Sequence, residues 1–288
     1  MGEHAGGVRI VADGLGIKGP RGWAVRGISV DAGPGALVAV EGPSGSGRTC
    51  LLLALTGRMK VSEGTASVGD ARLPKQMAAV RGVSALAHVP GVTDLDPALT
   101  VGEHLRERAL LQQRFGASLR GLLRPRRERA AEAGQRVDAA LEAAGLDLEA
   151  LPKGPRTAVR DLERLEALRL SVALALVGGP RLLGIDDTDL KLADGEREEA
   201  WALLRSLADA GTTVVAVCSE APEGAVKLST AENPEEPAPE DGRTDQGTDR
   251  TDQTDQADRT DQADQADQAD QADQGEEKAD ALAETGRA

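Results

Sequence analysis

The sequence predicts an α/β fold on a mostly parallel sheet, with an antiparallel β edge, an inserted α-helical subdomain and a C-terminal segment outside the fold. Three observations carry this. Short apolar runs alternate with segments of helical spacing, the pattern of a parallel sheet covered by helices. The stretch "GALVAVEGPSGSGRTCLLLALTGR" (35–58) reads as strand, Gly/Ser loop and apolar helix. "PRLLGIDD" (180–187) reads as an apolar strand ending in two carboxylates.

"VRIVA" (8–12), "GISVDA" (27–32) and "GALVAVEG" (35–42) are β-branched or apolar runs divided by Gly and Pro, hence strands. The helix after the loop is expected to end near Gly57. "GTASVGD" (64–70) reads as a strand between turns, and "VSALAHV" (83–89) as another. From about 99 the character changes. "LTVGEHLRERALLQQRF" (99–115) and "RRERAAEAGQRVDAALEAAG" (126–145) place apolar residues at helical spacing. Residues 105–136 hold nine Arg and three Glu, giving this insert of about 99–165 a basic face. "DLERLEALRLSVALALVG" (161–178) and "DGEREEAWALLRSLADAG" (194–211) are helices on either side of the carboxylate strand. "TTVVAVCSE" (212–220) is a buried strand, and "GAVKLS" (224–229) a last one.

The net charge of −14 is not spread evenly. Residues 231–288 contain 19 acids and 5 bases, so residues 1–230 hold 29 of each and are neutral. The run "TDQTDQADRTDQADQADQADQADQ" lacks the apolar surface that would offset its ordering entropy, so 231–288 is expected to be an acidic, disordered tail. Solvated filler and a tail that binds basic surfaces are both open readings. Residues 8–228 then form the folded domain. Aromatics are 1% of the chain: Trp23, Trp201, Phe115 and no Tyr. A neutral core with almost no stacking surface does not favour nucleic acid as a partner. Cys50 and Cys218 give no disulfide framework or metal spacing, and buried free thiols in a reducing compartment are expected. The longest apolar stretch, "LSVALALVGG", is too short to span a membrane.

Gly42, Pro43, Ser44, Gly45, Ser46, Gly47, Arg48 and Thr49 follow the phosphate-loop pattern G-x-x-x-x-G-K-[ST], with arginine in place of lysine. Glycines let successive backbone N–H groups turn toward one anion, and the following helix adds its positive end. The candidate cofactor-binding set is Gly42 to Thr49 with Cys50, the next residue of that helix. Thr49 supplies a hydroxyl for Mg²⁺. Asp186, at the end of its apolar strand, is the second Mg²⁺ candidate, and Asp187 stands where a carboxylate polarises an attacking water. A second glycine pattern, "GLGIKG" (14–19), is followed by Pro20 and Gly22 instead of a helix and is rejected as a dinucleotide site.

On "GPSGSGRT", "DPALTVGEHLRER", "LRLSVALALVGGPRLLGIDD" and "GTTVVAVCSE", the chain resembles the ATP-binding subunit of ABC transporters over roughly residues 8–228. The resemblance implies a P-loop NTPase that binds ATP and Mg²⁺. It implies that two such domains, as a homodimer or heterodimer, sandwich the nucleotide and drive an integral membrane partner. The helical insert and a glutamine loop before it contact that partner. The expected location is cytoplasmic, peripheral at the inner face of the membrane through the partner.

The departures from the family pattern bear on activity. Arg48 replaces the loop lysine, Gly91 stands where a glutamine is expected, and "LERLE" (162–166) replaces the L-S-G-G-Q signature. Asp187 replaces glutamate, Ser219 replaces the switch histidine, and "TDLKLAD" (188–194) has lost the usual turn pattern. No aromatic falls at the adenine-stacking position; Trp23 comes about four residues late. These losses predict a domain that binds ATP–Mg²⁺ and hydrolyses it slowly or only with a competent partner. An ordinary ATPase and a non-catalytic ABC-fold scaffold are the rival expectations.

Overall fold

The computed structural model describes residues 6–20, 22–115, 126–189 and 191–231. The predicted disordered tail lies outside the described residues apart from Ala231, as does the stretch 116–125 of the insert. Two sheets organise the rest. An antiparallel sheet has the order β2–β1–β4–β5, with β1 Ile10–Gly19, β2 Gly22–Ala32, β4 Glu63–Val68 and β5 Ala71–Leu73. An all-parallel sheet has the order β6–β7–β8–β3–β9, with β3 Leu37–Glu41, β6 Ser84–Leu86, β7 Leu182–Ile185, β8 Thr213–Cys218 and β9 Val226–Ser229.

The central strands read as continuous apolar runs because both faces of the parallel sheet are covered. Alternate residues part to opposite sides. Leu37, Ala39, Leu183, Ile185, Val214 and Ala216 enter one core, and Val38, Val40, Leu182, Val215 and Val217 the other. The second core is closed by helix α1 (Arg48–Leu55) and the antiparallel sheet. The first is closed by α5 (Arg164–Leu176), α6 (Asp194–Asp209) and the insert helices α3 (Val101–Phe115) and α4 (Arg126–Ala144). Helix α2 (Met77–Val83) leads into β6.

Several expectations move by a few residues. The 83–89 strand is hydrogen-bonded as a strand only over Ser84–Leu86, and the helix expected over 161–178 begins at Arg164, where Glu166 accepts the backbone N–H of Glu163 at 2.8 Å. "GLGIKG" lies within β1, in agreement with its rejection. β5 and α2 were not anticipated: β5 is three residues long, and α2 buries only Val80. Neither leaves a periodic signal. No helix among the described residues is long and apolar enough to cross a membrane.

Candidate functional site

The strand order decides how the site is assembled. β8 lies between β3 and β7, so the loop after β3 and the carboxylates after β7 meet across the C-terminal end of β8. Crevices outside the carboxyl ends of parallel strands are where open α/β sheets place ligands. Thr49 donates its hydroxyl to Asp186 Oδ2 at 2.6 Å. Asp186 is 3% exposed, and its Oδ1 accepts the backbone N–H of Asp187 at 2.9 Å. Arg48, one residue earlier, spans the same gap and donates Nη1 to the Cys218 carbonyl at 2.6 Å.

The loop's glycines have distinct reasons. Gly47 precedes α1 at φ 85°, and a Cβ there would lie 2.1 Å from the Ala24 carbonyl oxygen. Gly42, at φ 153°, faces Thr230, whose Oγ1 would be 2.3 Å from such a Cβ. The Thr230 hydroxyl in turn lies 2.5 Å from Ser46 Oγ. Gly45 adopts φ 83° with nothing within 4 Å of its Cβ position, so its backbone turns in open space. Pro43 and Ser44 are exposed beside it. Cys50 sits in the first turn of α1, half-buried and free, with its thiol pushed up by burial and by Asp186. Cys218 is buried and free, its thiol pushed up to about 12, first by burial.

Asp187 is adjacent to this cluster at φ 49°, a left-handed conformation uncommon for a non-glycine residue. Burial and then the Asp186 carboxylate push its carboxyl above the ordinary value, while Arg48 and His88 oppose the shift. Asp187 also lines a cavity of about 310 Å³ together with His88, Asp94, Arg164, Ser171 and Thr188. Gly91, in the loop that borders this cavity, has φ 75°, which disfavours a side chain there.

The structure brings together the loop, Thr49, Asp186 and Asp187. It also adds residues that sequence reading did not single out. Asp189 accepts the Ser219 backbone N–H through both oxygens, at 2.9 and 3.1 Å. Glu41 accepts the Ala221 N–H at 3.0 Å through its side chain and the Thr230 N–H at 2.9 Å through its carbonyl. A lone Asp or Glu at a strand end carries no spacing signal that would have marked these roles. Trp23 has Lys18 and Arg26 each 4.7 Å from its ring centroid, so cations already engage that ring.

The residue set fits a nucleotide with a divalent cation: Thr49 and Asp186 put two hard oxygen donors side by side at the mouth of a glycine loop.

Comparison with known proteins identifies the family. Residues 25–189 match the family model described as ABC transporter. The chain is 30% identical over 188 residues to the Nod factor export ATP-binding protein I of Cupriavidus metallidurans, covering 65% of this chain and 55% of that protein. It is 32% identical over 192 residues to the Fe(3+) ions import ATP-binding protein FbpC of Streptomyces avermitilis, covering 66% and 49%. The chain thus spans about half the length of these curated relatives. Among solved structures, a dimeric bacterial ABC transporter cassette superposes with a TM-score of 0.59 at 20% identity, covering 78% of this chain and 96% of that one. A bacterial Atm1-family ABC exporter with ATP bound gives 0.54 at 22%, covering 74% and 34%. At such identities these two likenesses speak for the fold alone. With the family model matched from the second strand through the carboxylates of Asp186 and Asp187, this chain belongs to the ABC transporter family and carries its ATP-binding domain.

Proposed function

We propose that the protein is the ATP-binding component of an ABC-type transporter or transporter-like membrane complex. In this reading, residues 8–228 bind ATP–Mg²⁺ and hydrolyse it slowly, or only with a competent partner. The observation that carries it is the 2.6 Å bond from Thr49 to Asp186 across the end of β8. Gly42 to Gly47 and the first turn of α1, including Arg48 and Cys50, hold the phosphates. Thr49 and Asp186 hold Mg²⁺, directly or through water. The cation, when bound, neutralises charge developing on the phosphates. Asp187 orients and polarises the water.

Slow turnover is supported by where the departures fall. Arg48 keeps the positive charge, but its planar fork already donates to the Cys218 carbonyl, and an arginine does not replace a compact ammonium contact for contact. The start of α5 carries Glu163 at the N-cap and Glu166 in the first turn, with Glu166 already accepting the Glu163 amide, so carboxylates stand where a second nucleotide's phosphate would approach. Ser219 is tied back to Asp189 through its amide, and its short hydroxyl replaces an imidazole. Two copies of the domain closing on nucleotide, and an integral membrane protein receiving the motion, complete the reading.

Calorimetry with ATP–Mg²⁺ tests it. Gly47→Ala is a poor probe, since its Cβ collides with Ala24 whatever the ligand. Thr49→Val keeps the shape and removes the hydroxyl. Losing one charge-linked contact of this kind should weaken binding about ten- to hundredfold. Absence of binding by the wild type at millimolar ATP would overturn the proposal.

A further inference from the structure

The last strand of the parallel sheet ends against the phosphate loop. β9 pairs with β3 in parallel, from Val38↔Val226 to Glu41↔Ser229, so the residues that follow the two strands come together: Gly42, which opens the loop, and Thr230. The Thr230 amide donates to the Glu41 carbonyl at 2.9 Å. Thr230 is 1% exposed, and its side chain reaches into the loop. Its Oγ1 lies 2.5 Å from Ser46 Oγ and 3.2 Å from the Glu41 carbonyl oxygen. A carbonyl can only accept, so the Thr230 hydroxyl spends its proton on Glu41. The Ser46 hydroxyl is then the donor to Thr230. The chain of bonds runs one way, from Ser46 to Thr230 to Glu41.

This tie sits where the loop most needs one. Gly42, Gly45 and Gly47 adopt φ 153°, 83° and 85°. Glycine loses more conformational freedom on ordering than any other residue, so a loop built on it keeps its shape only as far as outside contacts fix it. Gly47 is pressed on the Ala24 carbonyl, and Gly42 on Thr230 and Ser46, whose oxygens would lie 2.3 and 2.9 Å from a Cβ there. Between them Pro43, Ser44 and Gly45 are exposed. Ser46 is where this open stretch returns to the protein. Its amide donates to the Pro43 carbonyl at 3.2 Å, closing the turn, and its hydroxyl anchors that turn on Thr230.

We infer that Thr230 is a positioning residue for the nucleotide: acting through Ser46, its hydroxyl holds Pro43 to Gly45 in the shape that receives phosphate. This rests on the reading above that the loop binds ATP–Mg²⁺. The ordering is in place before the ligand arrives, so the ligand does not bear its cost. Valine at 230 has the same shape but can neither accept from Ser46 nor donate to Glu41. The Glu41 carbonyl keeps the Thr230 amide, and the half-buried Ser46 hydroxyl turns to water. The fold therefore tolerates the change while the loop loses its tie.

Calorimetry with ATP–Mg²⁺ on the full chain compares wild type, Thr230→Val, Thr230→Ser, Ser46→Ala and the double variant Thr230→Val with Ser46→Ala. Thermal melts check folding. Thr230→Val should weaken binding about five- to tenfold, the worth of one hydrogen bond. Thr230→Ser keeps the hydroxyl and should stay within about twofold of wild type. Ser46→Ala should match Thr230→Val, and the double variant should lose no more than either, since all three remove one bond. Hydrogen exchange of the amides of residues 44–47 reads the tie without nucleotide, and it should quicken in Thr230→Val. A folded Thr230→Val with wild-type affinity overturns the inference. So does an equal loss in Thr230→Ser, which would make methyl packing the cause, and so do losses that multiply in the double variant, which would separate Thr230 from Ser46. Should Thr230→Val not fold, Ser46→Ala decides, and wild-type affinity there overturns the inference. Wild-type failure to bind ATP sinks the functional reading. Quicker exchange in Thr230→Val then leaves the tie standing, and unchanged exchange overturns it as well.

Discussion

Arg48 and Thr49 are neighbours with opposite legibility. Thr49 reads from the loop pattern, and its bond to Asp186 follows from the pattern's geometry. The Arg48 contact with the Cys218 carbonyl does not, because it depends on β8 lying between β3 and β7. Asp187 carries the residue-scale prediction. Burial and Asp186 raise its carboxyl above the ordinary 3.8 in the folded state. The unfolded chain therefore ionises this group first, and its contribution to stability is full below that value and is lost as pH rises through the folded pKa. Asp187→Asn removes the ionisation. The variant should melt above wild type at pH 7.5, by no more than about 2 °C given partial solvent screening, with the difference closing toward pH 4. Melting curves at the two pH values check this, and a variant less stable at pH 7.5 than at pH 4, relative to wild type, would contradict it.

At the scale of elements, a side chain that no motif announces ties the chain entering β1 to the parallel sheet. Thr213, at the start of β8 and fully buried, donates its hydroxyl to the Val8 carbonyl at 2.7 Å. The same oxygen accepts the Val8 N–H and the Gly35 N–H, each at 3.0 Å. It joins the chain entering β1 and the turn before β3 to the parallel sheet. Thr213→Val keeps the volume and strands three backbone groups, two at buried Val8 and one at half-buried Gly35. Each unsatisfied group costs about 1–3 kcal/mol, partly relieved by relaxation, so a loss of about 2–4 kcal/mol is expected from urea unfolding. A loss under about 0.5 kcal/mol would mean that water or repacking replaces the hydroxyl. Strand and helix identities were legible because the covered sheet makes β3, β7 and β8 continuous apolar runs. The short β5 and α2 were not, because too few of their residues are buried to set a period.

For the whole molecule, the proposed slow turnover has the departures acting in series on one chemical step. Restoring lysine at position 48 would leave Glu163 and Glu166 at the start of α5, Asp187 one methylene short of glutamate, and Ser219 held by Asp189. Positioning of reacting groups can carry several kcal/mol of a barrier, and one repaired contact does not supply the others. Steady-state phosphate release by the protein alone should therefore stay below about 1 s⁻¹, the low end of ordinary turnover, for both wild type and Arg48→Lys. Wild-type turnover at or above that rate would establish an ordinary ATPase.

By itself, the sequence determined the class of fold, the phosphate loop, the carboxylate strand and the concentration of acid beyond residue 230. These are local in the chain: a period, a spacing of glycines and a composition, each written in consecutive residues. Only the tertiary structure decided that Gly42 yields to Thr230, that Glu41 receives Ala221, and that Thr213 serves both Val8 and Gly35. Those pairings join residues far apart in sequence, and they are fixed by strand order and helix packing, which no local pattern encodes.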